Sequence, residues 1–207
     1  MKATADSHTW SIVRKQSFDY FEKALRDKPS GLTLLDLGAG PQYFRVLTER
    51  FSVIAVDKER YEGINVLADL NKPLPFSDES ADIIFLSHTL EHIAEPQRLI
   101  DECYRILKKG GTIISVTPFL VLEHQGPHDF YRYTQYGLKY LFRNYSAVSV
   151  ELLGTADEVA VEMMRKLLVK AGLHRYLLNI LLFSLRLFLP RITDPKMTQG
   201  FGLTAVK

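Results

Sequence analysis

Four of the six histidines lie in two short stretches, where their side chains could transfer protons or bind a metal. His88 and His92 are four residues apart and would share one face of a helix. His124 and His128 have the same spacing later in the chain. A metal interpretation with Glu91 is open, but the order HExxH is absent and no third ligand stands at a defined spacing. We therefore expect no metal, and favour a pocket that His88 and His92 shape.

The second stretch, residues 123–134, is the densest cluster of polar and aromatic side chains in the chain. Loops of this kind often carry function, and His128 with Asp129 could act as a base and its orienting partner. Arg132 could bind an anionic acceptor, or it could instead pair with Asp129 and hold the loop under a lid of tyrosines. The predicted catalytic residues are His128, Asp129 and His92. The predicted acceptor-binding residues are His88, His124, Tyr131, Arg132 and Tyr133.

These residues need a scaffold, and the hydrophobic pattern predicts one in which short apolar strands alternate with amphipathic helices. The alternation indicates an α/β fold with a mainly parallel, doubly wound sheet. The predicted strands are Leu32–Leu37, Ser52–Val56, Ile64–Leu67, Ala81–Ser87, Thr112–Val116, Val148–Leu153 and Phe201–Val206. The predicted helices cover 10–27, Pro41–Phe51, Pro96–Lys108 (stopped by Gly110-Gly111) and Tyr136–Phe142, with only a helical turn in Lys58–Gly63.

Ligands bind beyond the carboxyl ends of the strands in such a sheet, and several of those ends carry glycine or a carboxylate. The first predicted strand runs into Asp36-Leu-Gly38-Ala-Gly40, and Asp57 ends the second. A dinucleotide site would want glycine or alanine at position 43, where this chain has Tyr43. Pro41 also removes a backbone N–H that a pyrophosphate would need. The loop therefore favours a cofactor without phosphate.

Four ordered motifs within residues 30 to 150 resemble class I S-adenosylmethionine-dependent methyltransferases. They are LLDLGAG at 34–40, Asp57, DIIFLSHTLEH at 82–92 and LKKGGT at 107–112. The resemblance implies a Rossmann-like, seven-stranded sheet with an antiparallel last strand, and S-adenosyl-L-methionine as cofactor. One departure is Gln42, where the family often has glycine. The HDFYRYT segment at 128–134 resembles bacterial methyltransferases, some of which are associated with cell-surface glycan synthesis.

The same resemblance implies which residues contact each part of the cofactor. The set comprises Asp36, Gly38 and Gly40 for the methionine part, Asp57 for the ribose, Asp69 and Leu70 for the adenine, and Ser87. Methyl transfer also needs alignment, exclusion of water and, for some acceptors, a base.

Length and composition bound the remaining possibilities. The 207 residues predict a single domain, 1–207, and a net charge of +2 without a basic stripe gives no reason to expect nucleic acid. Cys103 is the only cysteine, which excludes an intramolecular disulfide, and its helical pattern predicts a small buried side chain. The polar first ten residues lack the apolar core of a signal peptide, so we expect a cytoplasmic enzyme.

A helical insertion, about 155–195, separates the last two predicted strands. Ala156–Ala171 is amphipathic, and Leu173–Pro190 is apolar apart from a narrow polar stripe. The second segment is too short, and too interrupted by Arg186, to span a bilayer. Three interpretations stay open: a homodimer interface, a peripheral membrane contact, or a cap over a hydrophobic acceptor.

The sequence thus predicts S-adenosylmethionine-dependent methyl transfer to a small molecule through oxygen or nitrogen, with a glycan or lipid-linked intermediate among the candidate acceptors. One alternative is a non-catalytic subunit that binds the cofactor and serves assembly. A second alternative, a nicotinamide-dependent oxidoreductase, is disfavoured by Pro41 and Tyr43.

Overall fold

The computed structural model describes residues 12–170, 184, 193–194 and 196–207, and its centre is one seven-stranded sheet. The strands are β1 (Thr33–Leu37), β2 (Ser52–Asp57), β3 (Val66–Leu67), β4 (Ala81–Ser87), β5 (Leu107–Pro118), β6 (Ala147–Leu153) and β7 (Gly200–Val206). The helices are α1 (Ile12–Leu25), α2 (Arg45–Thr48), α3 (Pro96–Ile106), α4 (Gln135–Leu141) and α5 (Ala156–Lys170), with a 3₁₀ turn at Leu90–His92.

The strand order is β3-β2-β1-β4-β5-β7-β6. The first five strands pair in parallel, and β7 lies antiparallel between β5 and β6. The predicted mostly parallel sheet with an antiparallel last strand is confirmed. The chain leaves β1 on one side to form β2 and β3, then returns to place β4 on the other side. This reversal opens a crevice beside the carboxyl end of β1, the usual ligand position in such sheets.

Helices cover both faces of the sheet because the central strands are apolar on both sides. Alternate residues of β1 and β4 enter two separate cores, since successive side chains of a strand point to opposite faces. One core contains the buried faces of α3 and α4, including Cys103, which is fully buried as predicted. The other contains Phe21 of α1, whose ring lies 4.1 Å from that of Phe85.

Two predicted helix boundaries are wrong. The helix expected over Pro41–Phe51 is reduced to Arg45–Thr48, because Gln42 adopts a left-handed backbone (φ 55°) and residues before Arg45 form turns. Gly110-Gly111 was expected to stop the helix Pro96–Lys108, but α3 ends at Ile106 and the glycines lie inside β5. Gly110 there donates its N–H to Lys207 O, so tertiary pairing keeps the glycines in the strand.

The predicted amphipathic helix of the insertion is present as α5, Ala156–Lys170. The apolar segment Leu173–Pro190 lies outside the described residues except for Ser184, so the dimer, membrane and cap interpretations remain predictions. Among the residues that the structure describes, no helix is long and apolar enough to cross a membrane.

Candidate active site

The loop after β1 is folded tightly over the end of β2. The N–H groups of Gly38 and Ala39 both donate to Val56 O, at 2.8 and 3.0 Å. Gly38 has φ +76°, and a Cβ atom there would lie 2.8 Å from the side chain of Thr89. Only glycine meets both conditions without strain. The loop therefore lies in direct contact with the residues that follow β4.

Asp57 connects this loop to the next one. Its Oδ2 accepts the N–H of Gly40 at 2.8 Å, and its Oδ1 accepts the N–H of Glu59 at 2.9 Å. A carboxylate offers about four lone-pair positions, so Asp57 retains capacity for hydroxyl donors such as those of a ribose. A Cβ at Gly40 would meet nothing within 4 Å, which leaves open space at that point of the loop.

Asp36, at the carboxyl end of β1, is buried, and its Oδ1 has no hydrogen-bond partner among the described residues. Burial, with a smaller contribution from the negative charge of Asp57, raises the pKa of Asp36 to about 7. A buried carboxylate in this condition is stabilised by a cation or a strong donor. The α-ammonium group of S-adenosylmethionine is such a cation, and the open space at Gly40 also fits that cofactor.

The other predicted cofactor residues lie nearby along the sheet edge. Asp69 Oδ1 accepts the backbone and side-chain N–H groups of Asn71, which lower the pKa of the Asp69 carboxyl. Leu70 is buried within the core that contains α3 and α4. Ser87 ends β4, and its carbonyl accepts a hydrogen bond from Thr89.

The 3₁₀ turn Leu90–His92 contains the most unusual group of the site. The Glu91 side chain is fully buried, and neither of its oxygens has a hydrogen-bond partner among the described residues. His92 Nδ1 lies 2.7 Å from His128 O, whereas His92 Nε2 is buried and has no partner there. Buried polar atoms are almost always paired in folded proteins, so three unpaired atoms on adjacent residues indicate a site.

Two more histidines surround the Glu91 carboxylate and His92. His88 Nδ1 lies 3.7 Å from Glu91 Oε1, and its Nε2 lies 2.9 Å from Ser17 Oγ. The rings of His92 and His124 meet edge to face, with centroids 5.2 Å apart. One ligand atom from each of Glu91, His92 and His124 lies within 4.8 Å of the other two, a spacing that could hold a metal ion.

Burial determines the protonation of this cluster. It raises the pKa of Glu91 to about 8 and lowers that of His88 to about 4, with nearby positive charges adding to the effect on His88. Burial also lowers the pKa of His92, although its hydrogen bond to His128 O opposes that shift. At neutral pH, in the absence of a bound cation, Glu91 and His88 are therefore largely uncharged.

The loop 123–134 packs over this turn. In it, Asp129 pairs with Arg132 and not with His128, its partner in the predicted catalytic pair. Asp129 forms a bidentate ion pair with Arg132, at 2.6 and 2.7 Å, and accepts the backbone N–H of His124 at 2.9 Å. The hydrogen bonds from Arg132 hold the pKa of Asp129 well below its usual range. Among the described residues no hydrogen bond joins Asp129 to the exposed His128 ring, so the structure favours the loop-holding alternative for Asp129 and Arg132.

The two predicted tyrosines fasten the same loop to the turn. Tyr131 donates its hydroxyl to Ala94 O at 2.9 Å, and Tyr133 donates to Leu90 O at 3.2 Å. The two rings stack with centroids 5.6 Å apart. The predicted acceptor-side residues therefore gather in one region, and several of them also hold its shape.

Glu91 is the residue that the sequence analysis left without a role. A glutamate between two histidines is expected to be exposed, because carboxylates are rarely buried. The available signal was its position shortly after the mostly buried strand β4, where a side chain can be folded inward.

Comparison with known proteins identifies methyltransferases as similar in sequence and in fold. Residues 35–115 match a family model described as a methyltransferase domain. An uncharacterized methyltransferase of Mycolicibacterium vanbaalenii is 36% identical over 118 residues, which cover 49% of this chain and 46% of that protein. The chain thus spans about half the length of the curated relatives it matches.

Solved structures match over nearly the whole chain at low identity. A SAM-dependent methyltransferase from Archaeoglobus fulgidus superposes with a TM-score of 0.62 at 17% identity, covering 95% of this chain and 99% of that one. A Haemonchus contortus phosphoethanolamine N-methyltransferase gives 0.59 at 19% identity, covering 91% and 52%. The central segment of the chain is thus similar to a methyltransferase domain, and the chain has the fold of solved SAM-dependent methyltransferases.

Proposed function

We propose that this chain transfers a methyl group from S-adenosylmethionine to a small-molecule acceptor, through an oxygen or nitrogen atom. The observation that carries the proposal is the arrangement at the carboxyl end of β1. There the buried carboxylate of Asp36, whose Oδ1 has no hydrogen-bond partner among the described residues, occurs with the open Gly40 loop and the Asp57 carboxylate. The similarity of residues 35–115 to a methyltransferase domain supports the reaction class, and these contacts supply the reason to expect that cofactor binding is retained.

Each residue has a definite task in this proposal. Asp36 would bind the ammonium group at the amino-acid end of the cofactor, and Asp57 would accept hydrogen bonds from the ribose hydroxyls. Gly40 leaves room for close approach of the backbone. When bound, S-adenosylmethionine supplies a sulfonium-linked methyl group that an acceptor lone pair displaces, with the carbon–sulfur bonding electrons left on sulfur.

The acceptor would lie on the side of the Leu90–His92 turn. Thr89, the residue before that turn, donates to Leu37 O and contacts Gly38, so the turn lies directly against the cofactor loop. The residues around Glu91 and His92 are the chemically active groups nearest that contact, and we assign the handling of the acceptor proton to them rather than to His128. The loop 123–134 would exclude water from above.

Nitrogen and oxygen acceptors are both consistent with this site. The Haemonchus contortus protein is described in complex with phosphomonomethylethanolamine and S-adenosylhomocysteine, so one relative in fold acts on a small phosphate-bearing amine. Arg132 would bind the negative charge of an anionic acceptor here. Its guanidinium group would then divide its hydrogen bonds between the acceptor and Asp129, with which it forms a bidentate pair.

Calorimetric titration with S-adenosylhomocysteine tests the cofactor half of the proposal. We expect one equivalent to bind the wild-type chain, and Asp57→Ala to weaken that binding at least tenfold. The matched control is Asp82→Asn. Asp82 is also a carboxylate on a strand, but it lies at the amino-terminal end of β4, away from the carboxyl ends of the strands, and pairs with Lys108. Asp82→Asn should leave the affinity within about twofold of wild type.

Because Asp57 also holds two backbone N–H groups, thermal unfolding of each variant must accompany the titration. Folded Asp57→Ala protein with unchanged affinity would contradict the assignment. Binding of NADH in place of S-adenosylhomocysteine would overturn the proposal as a whole. Binding without turnover on oxygen and nitrogen acceptors would support the assembly-subunit alternative.

A further inference from the structure

We propose that Glu91, His92 and His124 form a binding site for one divalent transition-metal cation beside the cofactor loop. The three residues come from two distant parts of the chain, the turn after β4 and the loop after β5. Two imidazole nitrogens with one carboxylate are a common ligand set for zinc and similar ions, with at least one coordination position left open.

The distances suit such an ion after small side-chain movements. The candidate ligand atoms lie within 4.8 Å of one another, and Glu91 Oε1 lies 3.9 Å from His92 Nε2. Ligands about 2.0–2.1 Å from a tetrahedral zinc ion lie roughly 3.3 Å apart. His124 can supply most of the adjustment, because its side chain is 35% exposed whereas that of Glu91 is fully buried.

In each imidazole ring, the contact made by Nδ1 decides whether Nε2 has a free lone pair for a metal. His92 Nδ1 contacts His128 O at 2.7 Å, and His124 Nδ1 contacts Leu122 O at 3.2 Å. A carbonyl can only accept, so Nδ1 of His92 must carry the proton and its Nε2 is left with its lone pair. In His124 the Leu122 carbonyl at 3.2 Å competes for Nδ1 with the Arg132 guanidinium at 3.4 Å, and the shorter contact favours the same tautomer. Metal-binding histidines in proteins usually show this pattern, in which the second nitrogen donates to a carbonyl or carboxylate.

A cation also accounts for the unpaired atoms. Both Glu91 oxygens and His92 Nε2 are buried without hydrogen-bond partners among the residues that the structure describes. One metal ion would satisfy His92 and Glu91 together. The positive charge of nearby Arg132 does not preclude this, since Asp129 pairs with it at 2.6 Å.

The position of the site gives it a use in catalysis, and this part of the inference rests on the proposed function. The turn that carries Glu91 and His92 begins next to Thr89, which touches Gly38 of the cofactor loop. An acceptor oxygen bound at the open position of the ion would be oriented next to the methyl donor, and its hydroxyl would lose a proton more readily. The inference therefore favours an oxygen acceptor.

Zinc titration of untagged protein, stripped with a chelator, tests the site. A chromophoric competitor reports the affinity, and we expect one equivalent of Zn²⁺ to bind. Co²⁺ should give a visible absorption spectrum that Zn²⁺ abolishes. Mg²⁺ should not compete, because it prefers oxygen ligands. Each titration is paired with S-adenosylhomocysteine binding on the same sample.

Three variants locate the ion. Glu91→Gln and His124→Ala should each weaken Zn²⁺ binding by at least about tenfold, since loss of even an outer partner costs roughly 10- to 100-fold. The matched control is His128→Ala, because the exposed His128 ring lies in the same loop and the hydrogen bond to the cluster comes from its backbone carbonyl, which alanine retains. It should bind Zn²⁺ within about twofold of wild type.

The outcomes separate this inference from the proposed function. Failure of Zn²⁺ and Co²⁺ to bind to folded protein that still binds S-adenosylhomocysteine would overturn the metal site alone. Stoichiometric binding that survives both Glu91→Gln and His124→Ala would overturn it as well. Metal binding that depends on both residues would support it even if no cofactor bound. Unfolding temperature with and without Zn²⁺ serves as a second readout, and it should rise for wild type but not for Glu91→Gln.

Discussion

Replacing Asp36 by asparagine should stabilise the cofactor-free protein, and more strongly at higher pH. Burial raises the pKa of this carboxyl from its ordinary value of 3.8 to about 7 in the folded chain. The folded state thus binds the proton more tightly than the unfolded state does. Stability from this group is complete below about pH 4, declines as the pH rises toward 7, and is level above that.

The size of the effect follows from the two pKa values. With 3.8 for the unfolded chain and about 7 for the folded chain, the ionisation penalty is roughly 1.7 kcal/mol at pH 5 and roughly 4.2 kcal/mol at pH 7.5. Asparagine does not titrate, so it removes this dependence. The free energy of unfolding of Asp36→Asn relative to wild type should therefore increase by about 2.5 kcal/mol between the two pH values.

Urea unfolding of both proteins at pH 5 and pH 7.5 measures this difference, because other titrating groups cancel in the comparison. Asp82→Asn is the control. Burial opposes the shift, but hydrogen bonds from Lys108 and the N–H of Thr33 lower the pKa of Asp82. The stabilising contribution of Asp82 is then lost only as the pH falls below about 4. The difference in free energy of unfolding between Asp82→Asn and wild type should therefore be the same at pH 5 and pH 7.5. A pH-independent difference for Asp36→Asn would refute the burial argument.

Two further substitutions test the loops that build the site. Gly38→Ala combines φ +76° with a Cβ atom 2.8 Å from Thr89, and should lower the free energy of unfolding measured in urea by about 2–4 kcal/mol. Gly31→Ala has φ +81° but open space, and should lower it by only about 1–2 kcal/mol. Equal losses would show that the Thr89 side chain moves aside. Arg132→Gln leaves the buried Asp129 carboxylate without its main partner and should cost about 3 kcal/mol, of which adding Asp129→Asn should recover a part; additive losses in that double-mutant cycle would show that the pair is not coupled.

The strands could be predicted from the sequence because their signals are local. An apolar run such as Ala81–Ser87 has no polar side for water, so it must form a buried strand wherever the rest of the chain packs. The glycines and carboxylates of residues 36–57 were found in the same way, since their types and spacing reflect what a tight loop near a ligand requires.

Boundaries set by distant partners could not be predicted. Gly110 and Gly111 have a helix-stopping composition, yet β5 includes them because Lys207 and Asp82 approach from elsewhere in the chain. The same limit applied to the helix expected at Pro41–Phe51. There the loop over β2 uses residues that propensity alone would place in a helix.

The sequence by itself determined the fold class, the strand ends that carry glycines and carboxylates, and the stretches that carry the histidines, because each depends on residue type and short-range spacing. Only the tertiary structure decided which of those side chains meet. It paired Asp129 with Arg132, and it buried Glu91 between histidines that lie 36 residues apart in the chain. Such contacts depend on how a turn and a distant loop pack over one strand end, and no local pattern encodes that packing.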